Sequence, residues 1–198
     1  MDSKFECVIR EIDRVNREDP TVTSVGDQQI PAALLYGQRM TMALVKFAPD
    51  ASERLRIAAR GQHIRRWSVP RNSYPMDRKG YLAWRTRLKI MHADLIKAIM
   101  TEQGYSQEEA QITGDLVLKK RLKQDPEAQA LEDVVCLVFL QYYFEDFIHQ
   151  HEEEEEKIVG ILRKTWHKMS EKGHEAALAL ELPEKGMGLV KKAMEATG

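Results

Sequence analysis

From Leu131 to Phe147 the chain reads LEDVVCLVFLQYYFEDF, a stretch that is apolar nearly all the way round a helix. A helix without a polar face has to be enclosed by other helices, because an open flank would leave its apolar side chains in water. This stretch therefore demands a bundle. The rest of the chain is punctuated to supply one.

Asp2 and Ser3 precede Phe5, Val8, Ile9, Ile12 and Val15, which recur at helical spacing and define a first helix. Residues 18–30 are turn-rich and read as a loop, after which Pro31 suits the first position of a helix carrying Leu34, Leu35, Met42, Leu44 and Val45. Asp50 and Glu53 are spaced as a capping box and predict a third helix to about Arg66. The segment SVPRNSYPM holds two prolines and reads as a loop. A long helix follows from about Asp77 to Gln103, with Gly104 as its stop. Ser106 and Glu109 open a fifth helix to about Lys123, Asp125-Pro126 opens the sixth, and a seventh carries Ile158, Ile161, Leu162, Trp166 and Met169 to Gly173. The five glutamates Glu152 to Glu156 read as a solvated face or a helix start favoured by the dipole. The reading is all-α: a single-domain helical bundle, residues 1–198, of about seven to nine helices, with short helices in the tail.

A hydrophobic fraction of 43% against 31% charged residues is that of a globular chain, and no apolar run is long enough to span a membrane. The opening MDSKFECVIREIDR lacks the basic start and apolar stretch of a secretory signal, so a cytoplasmic protein is expected. Cys7 and Cys136 read as free, buried thiols.

The net charge of −1 hides a segregation. Between Arg54 and Lys89 the only acid is Asp77, whereas Asp125 to Glu156 contains no lysine or arginine. Three things could answer the basic segment: the acidic helix packed beside it, a phosphate-bearing ligand matched by arginine's planar fork, or a nucleic-acid backbone. Trp67, Tyr74, Tyr81 and Trp84 interleave with the arginines; base stacking could use them, and core packing is the plainer role for Trp84.

His92 falls on the apolar stripe of Leu88, Leu95 and Ile99 and so points at the core. Glu132 and Asp133 lie inside the apolar sixth helix, where a carboxylate needs a cation, an arginine or several donors. His63 sits beside Arg56, Arg60 and Trp67. A divalent metal (Mn, Fe or Zn) held by His63, His92 and Asp133 would account for all three placements; so would an arginine at Asp133 with both histidines hydrogen-bonded. His149 and His151 neighbour the acidic run and could take a metal at the surface, and His167 reads as exposed. No phosphate loop, dinucleotide glycine pattern or Gly-x-Ser-x-Gly elbow occurs.

The order of histidine, histidine and aspartate on successive helices resembles the HD superfamily of metal-dependent phosphohydrolases. The adjacent His-Asp of those enzymes is replaced here by His63-Ile64, and the place of their first histidine, near LLYGQRM, holds Tyr36 and Arg39. The segments LLYGQRM, APDASERLRIAARGQHIRRWSVPRNSYPMDRKGYLAWR, LEDVVCLVFL and ILRKTWHKMSEKGHEAALAL resemble the family named domain of unknown function 4202. That resemblance implies an all-α protein and puts Tyr36, Arg39, Arg60, His63, Arg66, Trp67, Arg71, Tyr74, Arg85, His92, Glu132 and Asp133 inside the family's motifs.

The expected function is a metal-dependent hydrolase of a phosphate ester or nucleotide on an HD-like frame. His63, His92 and Asp133 would hold the metal and Glu132 would serve as general base. Arg39, Arg60, Arg66, Arg71, Tyr74 and Arg85 would bind the phosphorylated substrate. The alternatives are a non-catalytic helical domain that binds an anionic ligand or nucleic acid through the arginine-rich face, and an iron-dependent oxygenase.

Overall fold

A computed structural model describes residues 2–195. The chain divides into two compact units, one ending at Leu122 and the other beginning at Lys123. Both are helical. The described residues form ten α-helices, slightly more than expected, and one short hairpin.

In the first unit α1 (Lys4–Asn16) starts at a reciprocal capping box between Ser3 and Glu6 and buries Val8, Ile12 and Asn16. The expected loop after it contains two strands, β1 (Val22–Val25) and β2 (Gln28–Pro31), paired antiparallel with Val25 opposite Gln28. Gly26, at φ +57°, takes the left-handed position of the two-residue turn. Gly-Asp between two short runs was the signal; the runs are largely exposed and so show little apolar alternation. Helix α2 (Ala32–Phe47) begins one residue later than expected, with Pro31 as a cap that offers no side chain. Asp19 supplies the carboxylate instead: its oxygens accept from the Ala33 and Thr21 amides at 2.9 Å each.

Helix α3 (Glu53–Arg60) is capped by Ser52, not Asp50, and ends six residues before the expected Arg66. The backbone beyond it has been claimed elsewhere. Arg65, at φ +56°, donates its amide to the buried Asn16 side chain, and the Ile64 carbonyl bonds His92. Two short 3-10 turns, Arg66–Ser68 and Arg71–Ser73, lead to α4 (Arg78–Glu102), capped by Asp77. Ser106 and Glu109 form the expected capping box of α5 (Gln107–Val117), which stops short of Lys123 because Lys119 and Arg121 take positive φ. Helix α4 packs on α5, and α3 packs on α5, α2 and α1. Ile57, Ile64, Ile96 and Met100 lie at the centre, each contributing about 1.5–3 kcal/mol by burial.

In the second unit the apolar stretch is indeed interior: in α6 (Pro126–Tyr142) Leu131, Val134 and Val138 are fully buried. It does not run on to Phe147 as one helix. The chain breaks at Tyr143 and α7 (Phe144–Gln150) turns back, so that Phe144 and Phe147 both meet Phe139 at 5.8 Å between ring centroids. Helix α8 (Glu155–Lys168) starts inside the glutamate run, with Glu155 and Glu156 in its first turn. Gly173 does not end it; Ser170 caps a separate helix, α9 (Glu171–Leu178), and α10 (Glu184–Glu195) packs on α8 and α7. Among the described residues no helix is long and apolar enough to cross a membrane.

Candidate functional site: a cationic cluster around two neutral histidines

In the first unit two histidines and an arginine are pushed below their ordinary values. Where α3 ends, the turn places His63 against α2, and the Tyr36 ring stacks on the imidazole with centroids 3.9 Å apart and planes 16° from parallel. On α4, His92 is 2% exposed, as its place on the apolar stripe required, and its ring lies 5.9 Å from that of His63. Nδ1 of His92 is 2.7 Å from the Ile64 carbonyl oxygen. A carbonyl only accepts, so Nδ1 carries the proton and Nε2 presents a lone pair.

Both imidazoles are held neutral. Burial pushes His63 well below its ordinary value, and the positive charges of Arg66, Lys119 and Arg85 act in the same direction, as would a charge on His92. Burial pushes His92 down to about 4, opposed by its bond to Ile64 and reinforced by Arg66. Arg66 lies over the Trp84 ring at 4.6 Å, and Trp84 is fixed in turn by its indole N–H, which donates to the Val69 carbonyl at 2.8 Å. Burial also lowers the Arg66 guanidinium from its ordinary value. Arg85 is exposed beside Tyr81, 3.4 Å from its hydroxyl. Here, then, are two uncharged rings set among cations.

The other expected residues are distributed differently. Arg60 is used inside the unit: its guanidinium makes two 2.7 Å bonds to the Asp13 carboxylate and a 3.2 Å bond to Thr41. Arg71 donates to the carbonyls of Tyr74 and Asp77 and pins the proline loop, and Tyr74 is partly buried at the loop's end. Arg39 lies one turn along α2 from Tyr36 and is also partly buried.

Asp133, in the second unit, has its charge answered by hydrogen-bond donors. Its oxygens accept from the Ser170 amide at 2.8 Å, the Ser170 hydroxyl at 2.6 Å and the Gln129 amide at 3.2 Å. The carboxylate therefore anchors the start of α9. Gly173 makes this approach feasible, because a Cβ there would stand 2.5 Å from the carboxylate. Glu132 is also buried, with the Lys168 ammonium 3.8 Å away. His149 and His151 pair with Glu152 and Glu154, and His174 stacks on Trp166 at 4.1 Å.

These donor sets do not fit a divalent metal. Among the described residues no group of three or more His, Cys, Asp or Glu side chains stands together so as to hold one, and the charges around His63 and His92 repel a cation. Of the expected ligand set, His63 and His92 lie together in the first unit and Asp133 belongs to the second. Lys119 is the residue that sequence reasoning missed. It was assigned to the body of α5, whereas it lies past the helix end at φ +57°; the cluster Lys119, Lys120, Arg121 was the available signal.

No curated protein and no solved structure matches the chain. Residues 6–190 match the family described as a domain of unknown function (DUF4202), and over that span the chain belongs to it.

Proposed function

We propose that the first unit binds a small phosphate-bearing molecule at the cluster of Tyr36, His63, Arg66, Arg85, His92 and Lys119. One observation carries this reading: the charged groups that act most on the buried His63 are all positive. A bound anion would ease the mutual repulsion of these like charges. A phosphoryl group suits the geometry, since a guanidinium offers paired N–H donors to its oxygens and an ammonium adds a point charge.

The neutral imidazoles add a polar, uncharged wall. They would let the site accept the phosphate without taking up protons near neutral pH, and a neutral histidine can also accept a proton from a ligand hydroxyl. This is the anion-binding alternative of the sequence reading, confined to the residues that lie together, and it requires no metal.

Calorimetric titration of the full chain with inorganic phosphate and pyrophosphate tests it. Saturable binding is expected that weakens steeply with added salt, persists in a chelator, and is lost in the double variant Arg66→Gln, Lys119→Gln. Titrations that stay flat at millimolar ligand, or binding untouched by the double variant, would remove the proposal.

A further inference from the structure

A cationic cluster accounts for a bound anion but leaves one polar atom unanswered. His92 Nε2 is buried and has no hydrogen-bond partner among the described residues. Because Nδ1 spends its proton on the Ile64 carbonyl, Nε2 is an acceptor and only an acceptor. Buried acceptors without donors are scarce in folded proteins, since each forfeits the water it gave up on folding. A second one comes from the same turn. Gln62, 6% exposed and two residues before the carbonyl that orients His92, has its side-chain oxygen buried and without a partner among the described residues.

An ionised phosphate oxygen cannot satisfy either atom, because it too only accepts. A bound anion would ease the repulsion among the cations, and the two buried acceptors would each take a donor. A ligand that meets both requirements carries hydroxyl groups beside its phosphate. Building on the phosphate-binding reading above, we infer that the ligand is a phosphorylated polyol, of the sugar-phosphate or glycerol-phosphate class. Its phosphate meets Arg66, Arg85 and Lys119, and a neighbouring hydroxyl donates to His92 Nε2. Gln62 offers its oxygen to a second hydroxyl. His92 is then the residue that distinguishes a polyol phosphate from a plain one, since a site built to accept from a hydroxyl discriminates strongly against an analogue without it.

The test compares four probes by calorimetry on the full chain: inorganic phosphate, methyl phosphate, glycerol 3-phosphate and ribose 5-phosphate. At least one polyol phosphate is expected to bind about tenfold or more tightly than methyl phosphate. In His92→Phe that preference falls toward unity. Equal affinities in the unsubstituted protein overturn the inference; this is also the result if a trapped water answers Nε2. Equal binding sinks only the hydroxyl assignment, whereas failure of all four probes sinks the phosphate reading and this inference with it. Should His92→Phe fail to fold, the ¹⁵N resonance of His92 Nε2 gives the same information. The preferred polyol phosphate must move it toward the hydrogen-bonded position and methyl phosphate must not; an unmoved resonance at saturation overturns the assignment.

Discussion

Tyr36 covers one face of the His63 imidazole, ring on ring, with 3.9 Å between centroids. The stack removes that face from water, and burial is the largest cause of the depressed His63 basicity. Tyr36→Ala should therefore raise the His63 pKa toward the ordinary 6.5, while Tyr36→Phe, which keeps the ring, should leave it low. An NMR pH titration of the His63 ring protons reads this directly. Identical titration in both variants would show that the stack contributes nothing.

Two histidines buried in the neutral form make stability depend on pH with a definite sign. A folded pKa near 4 against an unfolded value near 6.5 means that the unfolded chain binds more protons between those values. The His92 contribution is complete above about pH 6.5 and is lost as the pH falls toward 4. The shift corresponds to roughly 3 kcal/mol, and His63 adds in the same direction. Urea midpoints should fall from pH 7 to pH 4, and His92→Phe should flatten that slope. A slope unchanged by the substitution would place the acid sensitivity elsewhere.

How much of this was legible beforehand follows from what kind of information each residue carries. Ser3, Ser106 and Asp125 cap helices through groups two or three residues away, so the pattern lies within one short window and the sequence reveals it. The burial of His92 was readable for the same reason, since its stripe on α4 is periodic. The end of α3 was not. It is fixed by Asn16 and His92, partners 49 and 28 residues distant, and no local pattern announces such bonds. Nor could the sequence say that Asp133 would accept from Ser170, 37 residues on. A buried carboxylate advertises its need for partners and keeps their identity hidden.

The role of Asp133 at the start of α9 makes its own prediction. Asp133→Ala leaves the Ser170 amide and hydroxyl without their acceptor, at a cost of about 1–3 kcal/mol. Gly173→Ala should be at least as damaging, because its Cβ would meet the carboxylate at 2.5 Å. Hydrogen exchange should show the loss concentrated in the amides of α9. Protection in α9 equal to that of the parent would contradict the anchoring role.

Arg60 and Arg66 stand six residues apart in the same basic segment, and the structure separates their work. Arg60 is paired with Asp13, both side chains being largely buried, so Arg60→Met strands a carboxylate at a cost near 3 kcal/mol, the lower end for a broken buried pair. Asp13→Leu added to it should recover most of that loss, because the cost belongs to the unpaired charge and not to the missing attraction. Phosphate affinity should be the same in parent and double variant. Arg66 lies over Trp84, and losing that contact in Arg66→Gln costs under about 2 kcal/mol. The same change removes a positive charge that depresses both histidines, so their pKa values should rise while phosphate binding weakens. Parallel urea melts and phosphate titrations of the parent and the three variants give the comparison. If Arg60→Met, Asp13→Leu loses phosphate binding while Arg66→Gln keeps it, the site has been drawn around the wrong arginine.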